Sequence, residues 1–249
     1  MDSGFYAACA GLRAQSQALE VSGHNLANLN TTGFRGQQAS FHSLVAASRT
    51  TLPNILNLAT NNYGVLEGSH LDLTTGNLQA TGNPLDVGIE GSGFFRVQTA
   101  DGIRYTRDGS FQVSRSGLLV TAAGDTVLGN LAQGANAVIN LPPGNVSIAG
   151  DGTISVNGAV AGTIQLAEFP PGTILKSEGS NLLAAPDGSA LAAQHSTLQQ
   201  GTLESSNVNP ISAVVALIGV QRVAEMLQRA MSLFDNEFNR IATTDLAKV

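Results

Sequence analysis

Residues 209–241, NPISAVVALIGVQRVAEMLQRAMSLFDNEFNRI, decide how the rest of the chain is read. Asn209-Pro210 is an N-cap followed by proline at the first helical position, where its missing N–H costs nothing. Ala213, Leu217, Val220, Ala224, Leu227, Met231, Phe234, Phe238 and Ile241 then alternate steps of four and three. This is a heptad seam, and it lets one helix run along another with a left-handed twist. No Gly or Pro falls on the stripe, and Glu225 with Arg229 adds an i,i+4 pair in the favourable order on the outer face.

The seam is only part of the apolar surface. Ile211, Val214, Val215, Ile218 and Val223 lie off it, so the first turns are hydrophobic nearly all round. A helix apolar on every side is normally buried on every side, and one partner helix covers only a strip. Several neighbours are therefore expected, including copies from other subunits. Both termini are expected to be loosely folded in a free monomer and set on assembly, because a 30-residue helix of this composition is marginal alone.

Working outward, the other end of the chain also reads as helix. Residues 1 to about 30 contain no Pro, and Phe5, Ala8, Leu12, Leu19, Leu26 and Leu29 recur on a three-and-four spacing. Ser3 is a possible cap, and Thr32-Gly33 is the stop, since Gly tolerates a left-handed exit. Between the helices the chain changes character twice. From 36 to 75, Pro53, Asn54, Asn57, Asn61, Asn62 and Gly64 break up short apolar pieces, which predicts an extended connector with one short helix near Phe41 to Ala47.

From 76 to 200, Asp-Gly pairs at 101–102, 108–109, 151–152 and 187–188 separate short runs of β-formers. Phe94–Val97, Ile103–Thr106, Phe111–Val113, Leu118–Val120 and Thr153–Val156 are the clearest strands, and Pro142-Pro143 and Pro170-Pro171 belong in loops or edges. The expected fold is α+β. Discontinuous N- and C-terminal helices (1–35 and 201–249) form a coiled-coil-like axial domain, 36–75 connects, and 76–200 is a central, mainly antiparallel β domain.

Composition limits what this architecture does. The 249 residues carry 12 Lys and Arg against 18 Asp and Glu, a net charge of −6, so no basic stripe for phosphates is expected. Charged residues are 12% of the chain, about half the usual share, which fits either a surface covered with Asn, Gln, Ser and Thr or one facing other protein subunits. No apolar run is read as a membrane span, and Met1-Asp2-Ser3-Gly4 lacks the basic start and apolar block of a cleaved secretory signal. The one cysteine, Cys9, cannot form an intramolecular disulfide and reads as a small packing residue.

The search for chemistry gives little. Lys176 and Lys248 follow no phosphate-loop glycines, and there is no Gly-x-Ser-x-Gly elbow, His-Glu-x-x-His pair or calcium loop. His24, His42, His70 and His195 are scattered, and His70 with Asp72 reads as a pair of polar side chains facing water rather than a metal pair. No catalytic residue, cofactor site or metal site is predicted.

Three stretches carry a resemblance. Asn25-Leu26-Ala27-Asn28-Leu29-Asn30-Thr31-Thr32-Gly33-Phe34-Arg35 resembles the N-terminal signature of bacterial flagellar rod and hook proteins. Pro84–Phe95, running on to Tyr105-Thr106-Arg107-Asp108-Gly109-Ser110-Phe111, resembles the start of their β domain. Leu203-Glu204-Ser205-Ser206-Asn207-Val208-Asn209, followed by Gln221-Arg222 and Glu225, is similar to their C-terminal signature. Ala224 stands where the family commonly has an aromatic residue. Thr197-Leu198-Gln199-Gln200-Gly201 replaces the Tyr-rich approach to the C-terminal helix seen in distal members, which places the chain nearer the proximal-rod branch.

The resemblance implies an axial structural protein of the basal body, exported unfolded through the flagellar type III apparatus and assembled in the periplasm around a central channel. Its implied partners are copies of itself and other rod proteins, with no nucleic acid and no direct membrane span. Leu12, Leu19, Leu26, Leu217, Val220, Leu227, Met231, Phe234, Phe238 and Ile241 are assigned the packing role. Asn25, Asn28, Gly33, Asn207 and Asn209 are assigned to helix ends. A distal rod or hook-type subunit, and a secreted β-rich adhesin or enzyme, are the alternatives.

Overall fold

A computed structural model describes residues 2–43, 64–129, 138–179, 181–193 and 195–246, with the backbone alone at 2–7, 41–43, 64–69, 235, 237–239 and 241–246. It is α+β, with one helix near each end of the chain and an antiparallel β region between them in sequence. The chain forms two compact units. One holds 1–27, 37–70 and 209–249, the other 28–36 and 71–208.

In the first unit, α1 (Asp2–Ala27) packs on α2 (Pro210–Leu246) and on β1 (Gln37–Ser43), which pairs with β2 (Gly64–Leu71). α2 starts where its cap demands: Asn209 Oδ1 accepts from the backbone N–H of Ile211 (2.9 Å) and Ser212 (3.1 Å). Along α2, Ala213 is buried, Leu217, Val220, Ala224, Leu227 and Met231 are half-buried, and the residues between them are exposed except Ala230. Phe234 is exposed, and the side chains of Phe5, Phe238 and Ile241 lie outside the described residues.

The buried stripe of α1 includes Ala8, a predicted position, but then shifts one position back from the predicted seam, to Ala14 before Gln15 and Ala18 before Leu19. Ala8, Ala14 and Ala18 are buried, whereas Leu12, Leu19 and Leu26 are half-buried beside them. Small residues let the helix backbones approach closely. Gly11 leaves room for the Leu227 side chain, and Gln15 Nε2 reaches the Val220 carbonyl at 3.2 Å. Two further readings change. Phe41–Ser43 continues strand β1 instead of starting a helix, and 44–47 lies outside the described residues. Pro210–Phe234 is long and apolar enough by composition to cross a membrane, although Gln221-Arg222 interrupts its apolar run.

In the second unit the strands are β3 (Leu78–Ala80), β4 (Val87–Glu90), β5 (Phe95–Thr99), β6 (Gly102–Thr106), β7 (Phe111–Val113), β8 (Leu119–Thr121) and β9 (Thr126–Val127). They continue with β10 (Val146–Ile148), β11 (Thr153–Val156), β12 (Ala159–Thr163), β13 (Ala167–Glu168), β14 (Lys176–Ser177), β15 (Leu183–Ala184), β16 (Leu191–Ala192), β17 (Thr197–Gln200) and β18 (Thr202–Glu204). The largest sheet has the order β14-β15-β6-β5-β9-β8-β7 and is antiparallel throughout.

Alternation on β5 divides the core. Phe95 and Val97 enter a cluster with Phe111, Leu119 and Ile154, while Phe94, just before the strand, joins Tyr105 and Leu183. Phe95 meets Phe111 edge-on at 4.9 Å, and Tyr105 meets Phe169 edge-on at 4.8 Å. The last strands return to the first: β17 pairs with β4 (Gln200 opposite Val87) and β18 with β3 (Glu204 opposite Leu78). Residues 28–36 and 201–208 belong to the β-rich unit; α1 ends at Ala27, and α2 begins at Pro210, where the sequence places its cap.

Candidate functional site

Inside the β-rich unit the three motif stretches meet at one buried carboxylate. The strap Asn28–Gly36 begins with a turn in which Thr31 Oγ1 donates to Asn28 Oδ1 (3.1 Å). Gly33 follows with φ +66°, and a methyl group there would overlap the backbone of Arg107 and Asp108. Only glycine meets both conditions, so the expected helix stop is also a point of close approach. Thr32 Oγ1 donates to Asp108 Oδ1 (2.8 Å), and Asn181 Nδ2 donates to the Thr32 carbonyl (2.8 Å).

Arg35, 3% exposed, donates from Nη2 to Glu204 Oε1 at 2.7 Å. Arg107 donates from Nη1 to Glu204 Oε2 at 3.2 Å and from Nη2 to the Gly91 carbonyl at 2.7 Å, with its guanidinium 4.8 Å from the Phe94 ring centre. Glu204 Oε1 also accepts from the Gly76 N–H (2.7 Å), and its backbone carbonyl accepts from Gly33 N–H (2.8 Å). One acid faces two cations in a nearly dry site. Burial lowers the Arg107 pKa to about 10, offset in part by Glu204 and reinforced by repulsion from Arg35. Arg35 Nε and Nη1 and Arg107 Nε are buried without a partner.

The asparagines act mainly as tertiary ties. Asn207 Oδ1 accepts from Gly36 N–H (2.8 Å), and its Nδ2 donates to the carbonyls of Asp72 (2.9 Å) and Thr74 (3.0 Å). In the other unit, Asn25 pairs with the Gln37 backbone in both directions, at 2.7 and 2.8 Å, as a strand partner would. Asn209 is the cap already described.

Glu204, Arg35 and Arg107 lie within the three motifs, yet spacing gives them no role, because the arginine partners of Glu204 lie 97 and 169 residues away. The signal available was scarcity: in a chain only 12% charged, each motif holds an ionisable residue among small and apolar ones. The junction offers neither nucleophile nor open cleft, and two cations on one acid join segments rather than coordinate a metal ion. Among the described residues no group of three or more His, Cys, Asp or Glu is placed to hold a metal.

Such an arrangement, a helix near each end and a motif junction that holds chain segments together, suits a structural role. Comparison with known proteins agrees. Residues 5–35 match the flagella basal body rod protein family, 88–156 the D1 domain of the flagellar hook protein FlgE/F/G family, and 199–243 the C-terminal family of flagellar basal body rod FlgEFG proteins. A flagellar basal-body rod protein FlgG of Buchnera aphidicola is 34% identical over 257 residues, covering 93% of this chain and 95% of the relative. A FlgF of Caulobacter vibrioides is 31% identical over 252 residues, covering 100% of both, and a FlgF of Mesorhizobium japonicum is 31% identical over 90% of each. The chain belongs to the flagellar basal-body rod protein family and is a structural subunit of the bacterial flagellar basal-body rod.

Proposed function

We propose that the subunit polymerises with copies of itself and with other rod proteins in a helical array that carries torque across the periplasm. The observation that carries this reading is the apolar surface of α2. Ile211 is 77% exposed, Val215 64%, Met226 60% and Leu233 68%, on a helix already packed against α1 along its seam. A large exposed apolar patch is an interaction surface. An interface that repeats head to tail without closing builds a helical array. Packing of α1 on α2 through the Leu227 and Val220 side supplies a coiled-coil-like pair, leaving the outer face for neighbours. Leu12, Leu19 and Leu26 on α1 are half-buried and are proposed to pack with neighbours as well.

A place in the proximal rod is supported by the length, matched end to end with the Caulobacter FlgF, and by the missing Tyr-rich approach to α2. Export through the flagellar type III apparatus rests on the family alone. Deleting the gene and imaging purified basal bodies tests the assignment. Rods that stop at an early stage are expected; intact rods and normal swimming overturn it.

A further inference from the structure

Glu204 joins three separate stretches of chain through one side chain that is 1% exposed. It accepts from Arg35, Arg107 and the Gly76 amide, and its own carbonyl holds the Gly33 amide. The two arginines depend on it unequally. Without the carboxylate, Arg107 keeps the Gly91 carbonyl at 2.7 Å and the face of Phe94. Among the described residues, Glu204 is the only hydrogen-bond partner of Arg35, whose Nε and Nη1 are already buried and unsatisfied.

A buried guanidinium without a counter-charge is driven towards water. Arg107 directly follows β6, which is paired on both sides by β15 and β5, whereas Arg35 rides on a nine-residue segment outside any strand. The remaining hold on that segment is mostly polar: Thr32 on Asp108, Asn181 on Thr32, Asn207 on Gly36, and backbone hydrogen bonds from Gly33 N–H to the Glu204 carbonyl and from Asp72 N–H to the Gly36 carbonyl. Phe34 is its one large buried apolar side chain.

We propose that Glu204 is the positioning residue that sets the strap Asn28–Gly36 onto the β-rich unit, and that the strap opens as a unit separate from the seven-stranded sheet. The strap follows α1 directly in the chain, and Thr202–Val208 leads directly to the Asn209 cap of α2. One carboxylate therefore ties the chain leaving the first helix to the chain entering the last, before any neighbour is present.

Hydrogen exchange on the purified full-length monomer, read by mass spectrometry, tests this independently of assembly. Glu204→Gln is expected to speed exchange across residues 28–36 by about 100-fold or more while β5 and β6 change by less than about 10-fold. Unchanged strap exchange overturns the proposal, as does an equal rise in strap and sheet. Should the glutamine variant not fold, native-state exchange of the unaltered chain in low denaturant decides. Strap amides that open well before those of the sheet support the proposal, and strap amides that open only with global unfolding refute it.

Discussion

At the scale of single residues, the chain uses its few charges and its glycines to make contacts that nothing else could. Gly33 combines a left-handed φ with contact against the Arg107–Asp108 backbone. Gly33→Ala should lower the stability of the β-rich unit by about 2 kcal/mol or more, read by urea denaturation, since strain and overlap add. The Arg107 guanidinium, depressed to about 10, stays charged throughout the neutral range. A cation with a lowered folded pKa binds fewer protons folded than unfolded only above that value, so any stability it gains appears as pH rises past about 10. Below that value the group is charged folded and unfolded, so its cost is constant, and the stability difference between the unaltered chain and Arg107→Met in urea melts should not change with pH between about 6 and 9.

At the scale of elements, α2 was legible because three independent signals agree on it: cap, proline at the first position and a sustained heptad. The buried face of α1 was harder to read. Hydrophobicity favours Leu12, Leu19 and Leu26, yet close helix packing buries the small residues Ala14 and Ala18 beside Gly11, which add little to any apolar count. Gly11 is a useful test, because a methyl group there would stand at ordinary contact distance, 3.4 Å, from Leu227. Gly11→Ala should raise helix stability by up to about 1 kcal/mol, seen as a higher helical melting temperature by circular dichroism. Val215→Asp and Leu227→Asp should part company. The first alters an exposed face and should leave the monomer's α1–α2 pairing intact while blocking polymerisation. The second, facing Gly11, should weaken both. Sedimentation of polymer and circular dichroism of monomer distinguish them.

At the scale of the whole molecule, the order of structure along the chain could be read without coordinates, and the closure of the chain could not. Asp-Gly turns and runs of β-formers place Phe111–Val113 and Thr153–Val156 correctly, because hairpins depend on neighbours in sequence. The β17–β4 and β18–β3 pairings, and the meeting of Arg35, Arg107 and Glu204, join residues roughly a hundred or more apart, a range at which local periodicity carries no signal. For the same reason the sequence alone puts Thr202–Glu204 with the helix it precedes, whereas it pairs with β3.

The outer side of α2 is where the account is most exposed to refutation. A density map of the assembled rod locates Ile211, Val215, Ile218 and Met226 directly. Burial of these four side chains against neighbouring subunits is the predicted result. If they face solvent throughout the assembled rod, the apolar surface of α2 is not what binds one subunit to the next.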